Sequence, residues 1–367
     1  MTPIDHTRAT VEQLAEFDTI LDARSPSEFA EDHIPGAINC PVLDDQQRIT
    51  VGTLYKQVSA FDARKVGAVL VARNVAMHIE KLFADKPKGW KPLVYCWRGG
   101  QRSGAFTHIL REVGWSAKRL TGGYKSWRGH VIAQLDTVPK ALRFTVVAGP
   151  TGSAKTRILE AMQQQGQQVL NLEALAAHKG SVLGDLPGQP QPSQKMFETR
   201  VLSAIAGFDP ARAVFVESES KRIGQLRVPD AVFQGIQEGQ WLRVQASMEQ
   251  RVQFLLRDYD YFLSGPELEQ QLDRLKETCG GEVVARWKQL AQSRDCATLV
   301  AELLAQHYDR YYLRSMNNHA AGASHPSFAT NDLSDAGIAA LAREIAAGAA
   351  TGAAAATAAA TGKGRNT

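Results

Sequence analysis

The sequence predicts two consecutive α/β domains, each organised on a parallel sheet, with a helical region closing the second. Three observations predict it. The chain has 367 residues, too many for one ordinary hydrophobic core. Strand and helix signals alternate from the start. The alternation then restarts in mid-chain, where an apolar strand runs into a Gly-rich loop.

Residues 19–23 (TILDA) read as a short strand, and Ser25-Pro26-Ser27-Glu28 reads as a capping box opening a helix. A second strand spans 93–96, followed by a helix over 103–113. The turn-rich LTGGYKSW leads to a helix over 127–135, and 136–140, with Pro139, reads as a linker. The first domain is therefore placed at 1–137. The second, 138–345, begins with the strand Arg143–Ala148 (RFTVVA), which runs into GPTGSAKT and a helix over 157–164. A Pro/Gly/Gln-rich loop at 184–194, a helix over 195–206, and strands at Ala213–Glu217 and 241–245 continue the βαβ order. Residues 249–307 read as mostly helical. From 346 to 367 an Ala/Gly/Thr tract is too poor in large apolar groups to build a core, although part of it can be helical.

Composition narrows the function classes. With 44% hydrophobic and 22% charged residues, and no apolar run near the roughly 20 residues that cross a bilayer, a soluble protein is expected. The first residues carry acids and no apolar signal region, so a cytoplasmic setting is the expectation. Cys40, Cys96, Cys279 and Cys296 show neither disulfide-framework nor zinc-ligand spacing. The net charge of +4 suits an anionic partner without naming one.

Cys96 lies at a strand end before Gly99 and Gly100, with Arg98 and Arg102 beside it and Ser103 placed to start a helix. Helix N-terminal N–H groups and arginines favour a thiolate, and the glycines let several N–H groups turn inward towards an anion. The alternative is a buried strand-end thiol with surface arginines. The second loop, Gly149-Pro150-Thr151-Gly152-Ser153-Ala154-Lys155-Thr156, keeps Walker A spacing except that Ala154 stands in place of the second glycine. Gly149, Gly152 and Ser153 would cradle a phosphate, Lys155 would reach across it, and Thr156 could bind magnesium. The extra methyl is accommodated if Ala154 has a negative φ, as the approach to a helix suggests. Glu217 and Glu219 are candidates for holding a metal or its water. A solvated acidic and basic turn is their alternative.

Two further stretches carry a resemblance. "LDARSPSEFAEDHIPGAINCP" (21–41) is similar to the N-terminal rhodanese signature, and "LTGGYKSWR" (120–128) to the segment near that domain's C-terminal end. The resemblance implies that Cys96 carries sulfur or selenium as a covalent intermediate. Asp22 and Arg24 then read as a structural ion pair, with substrate contact as the alternative, Cys40 as core, and His33 as a structural residue rather than a general base. A rhodanese domain followed by a P-loop domain resembles the tRNA 2-selenouridine synthase family. So do "VGTLYKQVSAFDARKVGA" (51–68), "LNLEALAAHKGSVLG" (170–184), "QPSQKMFE" (191–198) and "VFVESESKRIG" (214–224).

That resemblance implies replacement of sulfur by selenium in the wobble 2-thiouridine of tRNA, with selenophosphate as donor and geranyl diphosphate as a second co-substrate. It implies no tightly bound cofactor, magnesium apart, and a monomer is expected. For tRNA contacts the expectation falls on Arg251, Arg257, Arg274, Lys276, Arg286 and Lys288, interleaved with Tyr259, Tyr261, Phe262 and Trp287. Arg310, Tyr311, Tyr312 and Arg314 join them. Amphipathic helices with solvated charged faces read the same way. Rival readings are a rhodanese-type sulfurtransferase regulated by an NTP-binding domain, a nucleotide-kinase-like enzyme with an inactive rhodanese appendage, and a non-enzymatic RNA-binding module.

Overall fold

In the computed structural model, which describes residues 6–263, 268–310, 312 and 325–362, the chain forms two units. One comprises Met1–Leu135 with Pro192–Ser203, the other Asp136–Gln191 with Ala204–Thr367.

The first unit runs β1 (Arg8–Ala9), β2 (Thr19–Asp22), α1 (Pro26–Glu31), β3 (Ile38–Asn39), α2 (Asp45–Gln57), α3 (Ala60–Leu82), β4 (Pro92–Tyr95), α4 (Gln101–Glu112), β5 (Lys118–Leu120) and α5 (Tyr124–Thr137). Its sheet has the order β1-β5-β4-β2-β3 and is parallel throughout. Both faces are covered, which is why β4 is buried at every position. Leu21, Val94, Phe106, Leu110 and Trp115 form the core with Cys40, whose thiol burial pushes up to about 12. The expected capping box is present at α1, where the Ser25 amide donates to Glu28 Oε2 at 3.1 Å. The segment 136–140, expected as a linker, instead finishes α5 and enters a single 3₁₀ turn at Val138–Ala141. Its Pro139 sits in that turn's first positions, where no N–H is needed.

The second unit contains β6 (Arg143–Ala148), α6 (Lys155–Gln164), β7 (Gln168–Leu170), α7 (Leu172–Ala176), the end of α8 (Gln194–Ile205), β8 (Ala213–Glu217), a small antiparallel pair β9 (Arg222–Ile223) and β10 (Leu226–Arg227), α9 (Asp230–Glu238), β11 (Gln240–Ala246) and α10 (Met248–Asp258). Short helices α11 (Asp260–Leu263), α12 (Leu268–Leu272), α13 (Lys276–Cys279), α14 (Gly281–Gln292) and α15 (Cys296–Leu303) follow, then β12 (Ser327–Thr330) and α16 (Asp335–Gly362). The sheet order is β12-β11-β6-β8-β7, again parallel. β12 had no counterpart among the expected elements. The Ala-rich tract from 346 continues α16, and Ala349 is buried beside Ile338, Leu341 and Ile345 in the unit's main cluster. Residues 363–367 lie outside the described residues. No described helix is long and apolar enough to cross a membrane.

Candidate functional site

Cys96 follows β4 directly and is 3% exposed, with Sγ 3.2 Å from Ser103 Oγ. Ser103 does not start the helix as expected. α4 begins at Gln101 with Gly100 as its cap, and Ser103 becomes the third helical residue, its hydroxyl facing the sulfur. The helix N-terminus therefore opens on the cysteine loop. Gly99 has φ +64°, and a Cβ on it would lie 2.7 Å from the Leu120 carbonyl oxygen. Gly123, in the LTGG turn, has φ +61°, and a Cβ there would lie 2.2 Å from the Cys96 carbonyl oxygen. Two backbones thus pack directly on one another, and the Tyr124 amide donates to the Cys96 carbonyl at 2.8 Å. The LTGG turn is a buttress for the cysteine loop.

Arg98 is exposed. Arg102 is held by Glu28, with Nη1 donating to Oε2 at 2.6 Å and Nη2 to Oε1 at 3.1 Å, so its charge is already answered within the protein. Trp97, not singled out from the sequence, is 37% exposed next to Cys96, and its ring lies 5.3 Å from that of Tyr124. Beneath the loop, Arg24 and Asp22 form a fully buried pair at 2.6 Å, and Arg24 Nη2 also donates to the Asp32 carbonyl. His33 stacks on Phe29 and bonds its carbonyl oxygen at 2.9 Å, a structural role.

The phosphate loop joins β6 to α6. Gly152 has φ +83°, and a Cβ there would meet Leu255 Cδ1 at 2.9 Å and Arg251 Cβ at 3.2 Å, so the loop lies hard against α10. Ala154 overturns the expectation of a negative φ: it sits at φ +59°, ψ 25°, in the left-handed region that favours glycine. The loop must reverse its curvature immediately before α6, and that requirement falls on residue 154 whatever its side chain. Its methyl is 4% exposed and packs in the core cluster. Ser153 Oγ donates to the Pro150 carbonyl at 2.8 Å, bracing the loop from inside. Lys155 Nζ donates to the Gly149 carbonyl at 3.0 Å.

Thr156 Oγ1 donates to Glu173 Oε2 at 3.0 Å. Glu173, on α7, escaped the sequence reading, because nothing in its local pattern marks it. Its carboxylate, with those of Glu217 and Glu219, offers one oxygen each within 4.8 Å of the others. Parallel pairing of β8 with β6 sets Glu217 beside Val147, at the end of the sheet where the phosphate loop begins. Burial, then the Glu219 charge, push Glu173 up to about 7 against the opposing pull of Lys155. Glu217 and Glu219 are likewise raised, by burial and by their acidic neighbours. Glu217 Oε1 is buried and has no hydrogen-bond partner among the described residues. Gly180 closes over the group, since a Cβ on it would lie 2.6 Å from Glu173 Oε1 and 2.7 Å from Glu219 Oε1.

Most of the cations expected to meet tRNA are already engaged within the protein, although Arg310 is exposed. Arg251 is 5% exposed, donates to the Thr151 carbonyl at 2.7 Å and pairs with Asp309 at 2.6 Å, so it supports the phosphate loop rather than facing solvent. Trp287 is fully buried. Arg274 pairs with Asp185, Lys276 and Lys288 with Asp273, and Arg286 with Glu302. Arg257 donates to the Leu333 carbonyl. Tyr259 lies under the Lys179 ammonium at 5.6 Å. Tyr311 and Arg314, and the side chains of Tyr261 and Phe262, lie outside the described residues.

Comparison with known proteins accounts for both halves. The family described as "Rhodanese-like domain" matches residues 7–130, and that described as "tRNA 2-selenouridine synthase AAA domain" matches 142–278. The tRNA 2-selenouridine synthase of Alcanivorax borkumensis is 33% identical over 80% of this chain and 88% of its own length. That of Bordetella petrii is 33% identical over 80% and 85%. That of Nitrosomonas europaea is 34% identical over 65% of this chain, and the match spans 63% of that relative.

Proposed function

Because the chain belongs to the tRNA 2-selenouridine synthase family, we propose that it replaces sulfur by selenium in a wobble 2-thiouridine of tRNA in two stages. In the first, the thiocarbonyl sulfur attacks C1 of geranyl diphosphate, the C–O bond breaks and diphosphate leaves. In the second, the selenium of selenophosphate attacks C2, the C2–S bond breaks and geranyl thiol departs with a proton, and water then cleaves the Se–P bond to release phosphate. A thiocarbonyl sulfur leaves poorly and an S-alkylated one leaves well, so the first stage prepares the second. A cytoplasmic setting fits a tRNA substrate.

The observation that carries this reading is the presence, on one chain, of a thiol at a helix-capped anion loop and a phosphate loop facing buried carboxylates. Gly149, Gly152 and the α6 N-terminus bind the diphosphate, and Lys155 turns from the Gly149 carbonyl to the leaving oxygens. Ser153 holds the loop's shape. The Thr156 hydroxyl with Glu173, Glu217 and Glu219 fits a hard divalent cation such as magnesium, the orphaned Glu217 Oε1 being the donor the protein leaves unused. Such an ion supplies neutralising charge to diphosphate oxygens. Cys96 serves the second stage by delivering selenium without a bond to it: its anion loop, with Gly99, Gly100 and Arg98, holds selenophosphate beside the thiol for attack on C2, and Arg102 keeps α1 against α4 through Glu28. Trp97 offers a ring to the incoming base.

Mass spectrometry of a 2-thiouridine anticodon stem-loop, incubated with geranyl diphosphate and then selenophosphate, tests the reading. Lys155→Ala is expected to abolish the geranyl mass increment, and Cys96→Ala to retain it while stopping selenation. The reverse pattern overturns the division of labour. Absence of both mass changes with the unaltered protein overturns the function.

A further inference from the structure

Between β3 and β4 the first unit inserts a hairpin of two helices, α2 and α3, and α3 packs on α4, the helix that begins at the Cys96 loop. Its outer surface is unlike the rest of the protein. Val58, Phe61, Ile49, Tyr55 and Val69, at 71%, 65%, 61%, 59% and 59% exposure, are the five most exposed large hydrophobic side chains among the described residues. Single exposed apolar residues need no explanation, but their concentration on one element marks an interaction surface.

Charge decides what kind of partner fits. Between Asp45 and Leu82 there are six Lys and Arg against three acids. Of those acids, Asp45 accepts from Ser27 Oγ and Asp62 pairs with Lys65. Arg48 and Lys56 are exposed and form no ion pair among the described residues. They stand one turn either side of Gly52, and the Arg48 guanidinium reaches over it, with Nη1 3.1 Å from where a Cβ would sit; with Ile49 and Thr53 they line a shallow, open depression. The Lys65 ammonium lies 5.1 Å over the Phe61 ring. A self-association face would be depleted in charge at its centre. Exposed rings alternating with exposed cations, Arg48 among them although its charge also reaches Glu28, instead match a surface that stacks unpaired bases and neutralises phosphates.

We propose that the α2–α3 hairpin is an RNA-binding face: Tyr55 and Phe61 stack on unpaired bases of the anticodon arm, and Arg48 and Lys56 hold a phosphate over Gly52. This rests on the family reading that the substrate is tRNA. It places the RNA on the unit that carries Cys96, while Arg251, Arg257, Arg274, Lys276, Arg286 and Lys288 are engaged within the second unit.

The test titrates the full-length protein into a fluorescently labelled 2-thiouridine anticodon stem-loop and follows anisotropy at several salt concentrations. Tyr55→Ala with Phe61→Ala, and separately Arg48→Glu with Lys56→Glu, are each expected to weaken Kd by roughly tenfold or more. The charge pair is also expected to flatten the dependence of log Kd on log salt by about one. All four side chains are exposed, so melting temperatures stay within a degree or two of the parent, about what surface substitutions cost. Phe61→Tyr retains affinity. Affinities within twofold of a tightly binding parent overturn the surface and leave the family reading standing. A change in sedimentation with unchanged RNA affinity overturns it in favour of self-association. Failure of the parent to bind the stem-loop overturns the family reading and the proposal together.

Discussion

Thr156 Oγ1 and Glu173 Oε2 are joined by a 3.0 Å hydrogen bond that ties the end of the phosphate loop to a carboxylate 17 residues away. The bond commits the hydroxyl that a magnesium ion would use, and the ion's arrival must reorganise it. Glu173→Gln keeps the shape and removes the charge. It is expected to lower geranylation by about tenfold or more, the cost of about 1.4 kcal/mol or greater of lost charge stabilisation. It should also reduce the thermal stabilisation that magnesium gives the unaltered protein. Differential scanning fluorimetry with and without magnesium reads the second effect, and an unchanged magnesium shift removes Glu173 from the site.

The same carboxylates make a pH prediction. The folded protein holds the Glu173 proton to about pH 7, whereas an unfolded chain releases it near about 4.3. A group whose folded value is raised contributes stability that is complete below the unfolded value and is lost as pH rises through the folded one. In metal-free buffer the melting temperature should therefore fall between about pH 5 and 8. Glu173→Gln should flatten that slope, and magnesium should stabilise more at pH 8 than at pH 6. A slope identical in the variant refutes the assignment.

Ala154 lies in the left-handed region with a buried methyl. Relief of strain in Ala154→Gly is worth about 1–2 kcal/mol. Against it stand about 0.5–1 kcal/mol of chain entropy and about 0.8 kcal/mol of lost methyl burial. The terms nearly cancel, so Ala154→Gly should leave the melting temperature almost unmoved. Ala154→Val, β-branched at positive φ, should cost about 2 kcal/mol or more. Urea denaturation of the two variants separates these outcomes.

Arg251→Met strips the buried partner from Asp309 and the donor from the Thr151 carbonyl. Breaking such a pair is expected to cost about 3 kcal/mol and to weaken diphosphate binding through a loosened phosphate loop. Affinity for the stem-loop RNA of protein that remains folded should not change. A selective loss of RNA affinity with full stability would return Arg251 to the RNA surface.

Ser103→Ala removes the hydroxyl 3.2 Å from Cys96 Sγ. One hydrogen bond of about 1 kcal/mol corresponds to roughly a fivefold loss. Selenation rates in the mass-spectrometric assay should fall by about that factor, with geranylation untouched.

Contiguity decided what could be read from the sequence. Cys96 with its glycines, and Lys155 with Thr156, are runs in which chemistry and local geometry share the same few residues. Glu173 belongs to the same site as Thr156, yet it sits on a five-residue helix with an ordinary cap, and only the fold brings it there. The sign of φ at Ala154 was misjudged because proximity to a helix says nothing about the residue that turns into it. Arg251 and Trp287 look like a basic, aromatic RNA surface in one dimension, and burial alone tells them from the solvated kind. The α2–α3 hairpin escaped assignment because Ile49, Tyr55, Phe61 and Val69 are exposed while Val71, Val75 and Ile79 face the core, so its apolar residues follow no single-faced periodicity.

β12 pairs with β11 only after eighty residues of intervening chain, and α16 then lies against α6. During translation the strand beside the phosphate-loop strand must therefore wait with one edge bare until Ser327 has left the ribosome. A nascent chain paused before that point offers a buried-type strand to any passing sheet. Synthesis rate and chaperone supply, rather than the chemistry of either loop, would then set how much working protein a cell obtains.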